Sequence, residues 1–294
     1  MFRPEGVITA LVTPFKAGDE SIDFAALERM IDIQCEAGVD GVFVSGSTAE
    51  AYAMEREEKR DLLAAAKEYV NGRAKLYFGA GGSSTRQAAD LIQMAESEGA
   101  DAVSVITPYF AVPDQDELLS FYTDIAASTS LPIILYNHPL RTMVNMSGST
   151  VGKLSRVTNI AGVKDSSANM NNTMSYLAAM EPGFSVLSGN DSLIFSLLDL
   201  GGAGTVSASA NFAPDLVVDL YRAYKAGKRE KSLELQLKLF AVRSVFSLGS
   251  YPAMIKDACR VMGFDMGVCR RPLKSLSADD MTKLEAALKT AGQL

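Results

Sequence analysis

The segment that decides the fold spans residues 102–136 and has the sequence AVSVITPYFAVPDQDELLSFYTDIAASTSLPIILY. Two short apolar runs, 102–106 and 132–136, lie on either side of a longer amphipathic stretch at 115–128. Runs this apolar are typical of parallel strands, because such strands are covered by helices on the sheet face and have no wet side. The segment therefore predicts a strand–helix–strand unit.

The same alternation continues in both directions along the chain. Further strands are predicted at 7–12, 41–45, 75–79, 160–164, 184–187 and 203–207, and further helices at 23–37, 51–70, 85–98, 148–156, 169–180, 191–200 and 214–226. Eight strand–helix units within about 220 residues favour an α/β fold of the closed (β/α)₈ TIM barrel type over an open sheet.

The pattern changes after residue 226. Three amphipathic segments at 229–247, 251–262 and 278–291 predict helices with no strand between them. A barrel does not need these helices. We therefore expect a (β/α)₈ barrel over 1–226 and a C-terminal helical region over 227–294, packed on the barrel or on a neighbouring subunit.

Composition narrows the function classes. The net charge is −7 and no cluster of basic residues occurs, which argues against a nucleic-acid partner. No apolar run reaches the roughly 18 residues of a membrane span, and the N-terminus lacks the features of a signal peptide. Three scattered cysteines, Cys35, Cys259 and Cys269, indicate reduced thiols in a cytoplasmic protein and no zinc site. His138 is the only histidine, which excludes mechanisms that need several.

Catalytic groups of such barrels collect at the carboxyl ends of the strands, where Lys164 and Tyr136 are found. Lys164 closes the apolar stretch 160–163, and burial favours the neutral amine, which is the nucleophilic form. The alternative is a lysine just past the strand that pairs with Asp165. Tyr136 ends the preceding strand, so its phenol could point at the amine and carry protons. The alternative for Tyr136 is a core or interface aromatic.

Two further stretches follow predicted strands. Ser47-x-x-Glu50 matches a capping box for the helix at 51–70, and the same helix start with its free N–H groups could bind a carboxylate. The run 79–82, Gly-Ala-Gly-Gly, lacks the spacing and the lysine of a phosphate-binding loop. We interpret it as a tight turn at the barrel mouth.

Several ordered motifs together resemble the dihydrodipicolinate synthase / N-acetylneuraminate lyase family of class I pyruvate aldolases. They are TALVTPF at 9–15, GSTAE at 46–50, TPY at 107–109, YNHPLRT at 136–142, GVKD at 162–165, SGND at 188–191 and GTVS at 204–207. The match covers the whole length, and it implies a barrel enzyme that forms a Schiff base with pyruvate.

The resemblance also implies roles for individual residues. Lys164 would condense with the keto carbon of pyruvate, and Tyr136 would shuttle protons at the adduct. Ser47 and Thr48 would hold the pyruvate carboxylate. The remaining substrate-binding candidates are Arg141, which in the synthase branch grips the carboxylate of the aldehyde, Val206 with its backbone carbonyl, and Gly189 and Asp191 in the SGND motif.

Two residues depart from the family pattern. Ala49 replaces the glycine usual in GSTGE-like motifs, which suggests a stiffer or more crowded loop. Phe110 stands where the synthases generally carry a second tyrosine that relays protons to solvent. Tyr109 would have to substitute for it, or the relay is absent. Tyr109 and Phe110 are therefore candidates for a relay or an interface.

The leading hypothesis is an aldolase that condenses pyruvate with an aldehyde, similar to dihydrodipicolinate (4-hydroxy-tetrahydrodipicolinate) synthase. The alternative enzyme acts on 2-keto-3-deoxy sugar acids, with Asn190 and Asp191 binding hydroxyls, or is of the 4-hydroxy-2-oxoglutarate or N-acetylneuraminate type. A non-catalytic keto-acid sensor is the alternative outside enzymes. Because the protonated imine is itself the electron sink, no metal or organic cofactor is implied. The family suggests a homotetramer or homodimer.

Overall fold

The computed structural model describes residues 2–294 and contains a closed barrel of eight parallel strands. Each strand pairs with the next one along the chain, and β1 pairs with β8 to close the barrel. The strands are β1 Gly6–Ala10, β2 Gly41–Val44, β3 Lys75–Gly79, β4 Ala102–Ile106, β5 Ile133–Asn137, β6 Ile160–Asp165, β7 Ser185–Ser188 and β8 Gly204–Ser207. The predicted TIM barrel is confirmed.

Helices surround the strands and continue beyond them. They are α1 Phe24–Ala37, α2 Arg56–Val70, α3 Thr85–Ser97, α4 Gln115–Ala127, α5 Pro139–Thr142, α6 Gly148–Leu154, α7 Met170–Ala179, α8 Ile194–Asp199, α9 Pro214–Lys225, α10 Arg229–Arg243, α11 Ala253–Val261 and α12 Ala278–Thr290. Short 3₁₀ turns lie at Ala51–Ala53, Asp191–Leu193, Ser209–Asn211 and Ser244–Ser247.

Two apolar layers explain why the strands are hydrophobic on both faces. Side chains of a strand alternate between the two sides. One set fills the barrel interior, where Ile8, Phe43, Ile134 and Leu187 are buried against one another. The other set packs between the strands and the helices in a much larger cluster. Because neither face of a strand meets water, the apolar runs lack the alternation of a half-exposed sheet.

Three predicted helices begin or end differently from the expectation. The predicted helix 51–70 is a 3₁₀ turn followed by α2, the helix at 191–200 begins with a 3₁₀ turn before α8, and the helix at 229–247 ends at Arg243. The predicted capping box of Ser47 and Glu50 is wrong. The capping box of α2 is formed by Glu55 and Glu58 instead.

Glu50 cannot cap because its backbone and its carboxylate are committed elsewhere. It lies in the left-handed region with φ 59°. Its Oε1 accepts a hydrogen bond from Lys256 Nζ at 2.7 Å, and its Oε2 accepts one from the Arg270 backbone N–H at 2.9 Å. The loop after β2 is thereby anchored to the C-terminal part of the chain.

The C-terminal helices α10, α11 and α12 follow α9 without an intervening strand. Helix α10 packs against α9, and α11 lies close to the 3₁₀ turn Ser209–Asn211 that follows β8. The division into 1–226 and 227–294 stays a prediction. Within residues 2–294, no helix is long and apolar enough to cross a membrane.

Candidate active site

A cavity of about 430 Å³ opens at the carboxyl ends of the strands. Its wall includes residues from the ends of β2 to β5, from the short helix α5 and from the C-terminal region. The lining residues are Phe43, Ser45, Gly46, Ser47, Ala51, Tyr52, Lys59, Gly79, Gly81, Ser104, Ile106, Tyr109, Tyr136, Arg141, Thr142, Tyr251 and Leu273. This is the end of the barrel at which enzymes of this fold place their chemistry.

Lys164 lies within β6 rather than after it, and its side chain is only 5% exposed. The alternation of the strand sends Lys164 into the barrel and Asp165 outward toward the helices. Asp165 accepts hydrogen bonds from Asn137 Nδ2 at 3.1 Å and from Thr173 Oγ1 at 2.7 Å. The alternative of a Lys164–Asp165 pair is therefore wrong.

The neighbours of the Lys164 amine are mainly ring faces. Strand pairing places Tyr136 directly beside Lys164, and the Nζ atom is 4.0 Å from the Tyr136 ring centroid and 5.2 Å from that of Phe43. Among the described residues, no hydrogen bond or ion pair engages this Nζ. The amine therefore has no counter-ion that would compete with a substrate. Tyr136 lines the cavity, and Lys164 lies behind this lining, in contact with the Tyr136 ring.

Gly189 leaves the space that Lys164 occupies. A Cβ at this position would lie 3.1 Å from Lys164 Cε and 2.0 Å from Ser166 Oγ. Any larger residue would displace the lysine side chain. Val206 lies within β8, the strand that follows Gly189, and is buried in the interior layer. Of the two predicted residues, Gly189 therefore lies directly beside Lys164.

The loop from Ser45 to Glu50 contributes polar groups on the opposite wall. The backbone N–H groups of Ser47 and Thr48 donate to no other group in residues 2–294. The carbonyl of Gly46 accepts hydrogen bonds from the N–H groups of Ala49 and Ala51 at 3.1 and 3.2 Å. The loop is therefore a tight turn with two unused donors, not the first turn of a helix.

Ala49 fits this loop without strain. It is buried, it does not have a positive φ, and its carbonyl accepts a hydrogen bond from Thr13 Oγ1 at 2.8 Å. The loop reverses at Ser45 and Glu50 instead, which have φ values of 56° and 59°. The predicted crowding by Ala49 is not seen.

The glycine run after β3 is not the predicted tight turn. Residues 80–82 form no turn, and none of these glycines has a positive φ. Gly79 is required for close approach, because a Cβ there would lie 2.0 Å from the carbonyl oxygen of Ser45. The absence of a side chain at Gly79 lets the loop after β2 pack directly on β3.

Arg141 reaches the cavity from α5, which begins with Pro139. Its guanidinium carbon lies 5.6 Å from the centroid of the Tyr251 ring. The guanidinium forms no hydrogen bond or ion pair with another residue that the structure describes. An exposed cation at the mouth, held over an aromatic face, is available for an anionic group.

Tyr109 and Phe110 take different positions. Tyr109 lines the cavity, whereas Phe110 is 101% exposed and has a left-handed φ of 77°. In this conformation Phe110 contributes nothing to the cavity of its own chain.

Asp191 and Asn190 are engaged by the chain itself. Asp191 is buried, and its Oδ2 accepts a hydrogen bond from the Ser209 N–H at 2.8 Å. Its Oδ1 has no partner among the described residues. Asn190 Oδ1 accepts one from the Ser192 N–H at 3.0 Å. Neither residue lines the cavity, although burial raises the pKa of the Tyr251 phenol and the Asp191 carboxylate lies close enough to raise it further.

His138 is a neutral residue beside the site. Burial, together with the charges of Lys164 and Arg141, lowers the pKa of His138 from 6.5 to about 4. Its Nδ1 has no partner among residues 2–294, and its ring lies 5.8 Å from that of Tyr136. It is therefore uncharged at neutral pH.

Tyr251 and Ser104 are cavity residues that the sequence analysis missed. Ser104 lies in the middle of β4, where its Oγ has no partner among the described residues. Tyr251 comes from the C-terminal region, in which the sequence predicted only a helix. No strand-end motif marks either position, so only the three-dimensional structure reveals them. No group of three or more His, Cys, Asp or Glu residues in 2–294 has an arrangement that could hold a metal ion.

A closed (β/α)₈ barrel has a cavity at the carboxyl ends of its strands, with a buried lysine and a tyrosine beside it. This is the architecture of a barrel enzyme. The chain belongs to the Dihydrodipicolinate synthetase family, whose profile matches residues 3–291. The predicted family and the predicted class of enzyme are confirmed.

Individual relatives agree with this family over the full length. The chain is 37% identical to 4-hydroxy-tetrahydrodipicolinate synthase of Maridesulfovibrio salexigens, and the match covers 98% of each chain. The crystal structure of dihydrodipicolinate synthase from Thermotoga maritima has a TM-score of 0.96 at 34% identity and full coverage of both chains. A prophage protein of the same family from E. coli K12, solved in complex with pyruvate, has a TM-score of 0.94 at 30% identity, with 99% of each chain covered.

Proposed function

We propose that this enzyme condenses pyruvate with aspartate semialdehyde, as 4-hydroxy-tetrahydrodipicolinate synthases do, through an imine on Lys164. The observation that supports this most strongly is the position of Lys164. The amine is buried in the barrel, lies 4.0 Å from the Tyr136 ring centroid and is not held by a carboxylate. An amine in this position is a nucleophile for a keto carbon.

The reaction follows from the chemistry of the imine. The Lys164 amine attacks the keto carbon and water leaves, which forms a protonated imine. The imine withdraws electrons, so a proton leaves carbon 3 and an enamine forms. The enamine carbon attacks the aldehyde, and hydrolysis frees the product and the lysine. Tyr136 carries protons in these steps, since its ring adjoins the amine and its side chain lines the cavity.

The pyruvate carboxylate binds to the loop after β2. Ser47 and Thr48 offer two hydroxyls and two backbone N–H groups that make no other backbone hydrogen bond among the described residues. Hydrogen bonds from such donors to a carboxylate are charge-assisted and contribute about 1.5–3 kcal/mol each. Gly189 leaves room for the lysine side chain, and we assign the backbone carbonyl of Val206, on the neighbouring strand β8, to the same subsite.

The second substrate binds nearer the mouth. Arg141 is a free cation there, so it pairs with the carboxylate of aspartate semialdehyde. Asp191 supports the site from outside the cavity through its hydrogen bond to Ser209. Asp191 Oδ2 and Asn190 Oδ1 already accept hydrogen bonds from backbone N–H groups of the chain, whereas the Arg141 cation is unpaired, which favours the synthase reaction over cleavage of a sugar acid.

We place the enzyme in the cytoplasm as a homotetramer or homodimer that binds small molecules. Phe110 supports an assembly, because its bulky aromatic ring is 101% exposed on a left-handed backbone with φ 77°, and such a backbone conformation costs about 1–2 kcal/mol. Contact with a second copy of the chain would offset this cost.

Substrate kinetics test the proposal. Pyruvate with aspartate semialdehyde should give a condensation product, identified by its mass, and 2-keto-3-deoxy sugar acids should not be cleaved at a comparable rate. Arg141→Ala should raise KM for aspartate semialdehyde about tenfold or more, as expected for the loss of one charge-assisted pair. Acetaldehyde, which has no carboxylate, is the matched control and should be used equally by both proteins. Efficient cleavage of the sugar acid without condensation would refute the proposal.

A further inference from the structure

Tyr251 brings a phenol to the cavity from the far end of the chain. It lies between the 3₁₀ turn Ser244–Ser247 and helix α11, and it lines the cavity. Its hydroxyl is 2.5 Å from Thr48 Oγ1, a contact between residues 203 positions apart. The C-terminal region therefore completes the wall that the loop after β2 begins.

The hydroxyl contact fixes the orientation of Thr48. Thr48 is only 3% exposed, so its hydroxyl has few alternatives for hydrogen bonding. When the Tyr251 phenol donates to Thr48 Oγ1, the hydrogen of Thr48 is free to point at an acceptor in the cavity. Chains of hydrogen bonds strengthen one another, so the phenol makes the threonine a better donor.

The ring of Tyr251 has a second contact. The guanidinium carbon of Arg141 lies 5.6 Å from its centroid, within the range of a cation–π interaction. The described residues offer this guanidinium no carboxylate or carbonyl. The aromatic face is therefore the contact that holds Arg141 over the cavity instead of letting it extend into solvent.

We infer that Tyr251 is a positioning residue that joins the two substrate subsites, its hydroxyl orienting Thr48 toward the pyruvate carboxylate and its ring holding Arg141 toward the aldehyde's carboxylate. This inference rests on the function proposed above. Tyr251 also adds a phenol to the cavity wall, which position 110 does not offer.

The surroundings keep Tyr251 in the donor form. Burial raises the pKa of the Tyr251 phenol, and the nearby phenol of Tyr136 raises it further. The hydroxyl therefore stays protonated throughout the neutral range and can donate to Thr48.

Two substitutions separate the two contacts. Tyr251→Phe removes the hydroxyl and keeps the ring, so the pyruvate concentration that half-saturates imine trapping by borohydride should rise about tenfold. KM for aspartate semialdehyde should change less than about twofold, since the ring remains. Tyr251→Leu removes both contacts and should raise both values. In a Thr48→Val background, Tyr251→Phe should add little, because its partner hydroxyl is already absent.

The control is Tyr221→Phe, which removes a hydroxyl from α9 near Asp40, at the start of β2 and away from the cavity. It should leave both substrate constants unchanged. An unchanged pyruvate constant in Tyr251→Phe would overturn the inference, as would equal losses for both substrates in that variant, which indicate a general structural role. A wild-type protein that traps no pyruvate would overturn the proposed function and the inference together, whereas normal trapping with unaffected variants overturns the inference alone.

Discussion

Lys164 and Asp165 are adjacent in sequence but face opposite sides of β6. The lysine points into the barrel and the aspartate toward the helices, where Asn137 and Thr173 satisfy it. One residue of offset in a strand thus decides whether a lysine becomes a nucleophile or half of an ion pair. The same register sets Tyr136 beside Lys164 on the neighbouring strand.

His138 should make stability depend on pH. Burial and two nearby cations lower its pKa from 6.5 to about 4 in the folded protein. The unfolded chain therefore takes up a proton first as the pH falls. The folded protein therefore has its full stability above pH 6.5, the pKa of the unfolded histidine. It loses free energy of unfolding as the pH falls toward about 4, the pKa in the folded state, and this loss is about 2 kcal/mol by pH 5.

Urea unfolding at pH 7.5 and pH 5 measures this contribution. His138→Asn lacks the titrating group, so its loss of stability between the two pH values should be smaller than that of the wild type by about 2 kcal/mol. The same loss in both proteins would show that His138 is accessible to protons in the folded state.

The residues that the sequence revealed are those at strand ends. Lys164, Tyr136, Ser47 and Arg141 all follow or close an apolar run, and barrel geometry brings such positions to one rim. Tyr251 could not be found in this way. Its contact with Thr48 spans 203 positions and depends on how the C-terminal helices dock, which no local pattern records.

At the level of elements, the helix α2 shows how a tertiary contact overrides a local signal. Ser47-x-x-Glu50 has the composition of a capping box, yet Glu50 is drawn into a buried pair with Lys256, whose side chains are 0% and 2% exposed. The helix consequently starts five residues later than predicted, at Arg56. The strands were predicted to within about two residues, because their apolar faces are fixed by the barrel itself.

The Glu50–Lys256 pair should stabilise the loop after β2. Lys256→Met leaves the Glu50 carboxylate buried without a cation and should lower the free energy of unfolding by about 3–5 kcal/mol. Glu50→Gln combined with Lys256→Met removes the uncompensated charge and should recover part of this loss. Lys283→Met, which breaks an exposed pair with Asp280, is the control and should cost less than about 1 kcal/mol.

Chemical denaturation of the wild type, Lys256→Met, Glu50→Gln, the double variant and the Lys283→Met control provides the test. If the double variant is as unstable as the sum of its single variants, the two side chains do not interact energetically, and the loop is held by other contacts.

At the scale of the whole molecule, the barrel and the C-terminal region build the site together. Strands β2 to β6 supply the lysine, the tyrosine and the carboxylate loop, while the segment after α10 supplies Tyr251 and the anchor Lys256. The barrel was predictable because eight repeats of one pattern specify it. The contribution of the C-terminal helices to the site was not predictable, because it depends on how these helices dock on the barrel. The sequence predicted only that they would pack there.

The measurement that tests the central claim most directly is borohydride trapping with pyruvate, followed by peptide mass mapping. One adduct should form on Lys164, with the mass of pyruvate less one water and plus two hydrogens. Lys256, a lysine that is equally buried but paired with Glu50, is the internal control and should stay unmodified. Lys164→Ala should abolish the adduct. A wild-type protein without an adduct, or an adduct that persists in Lys164→Ala, would contradict the account.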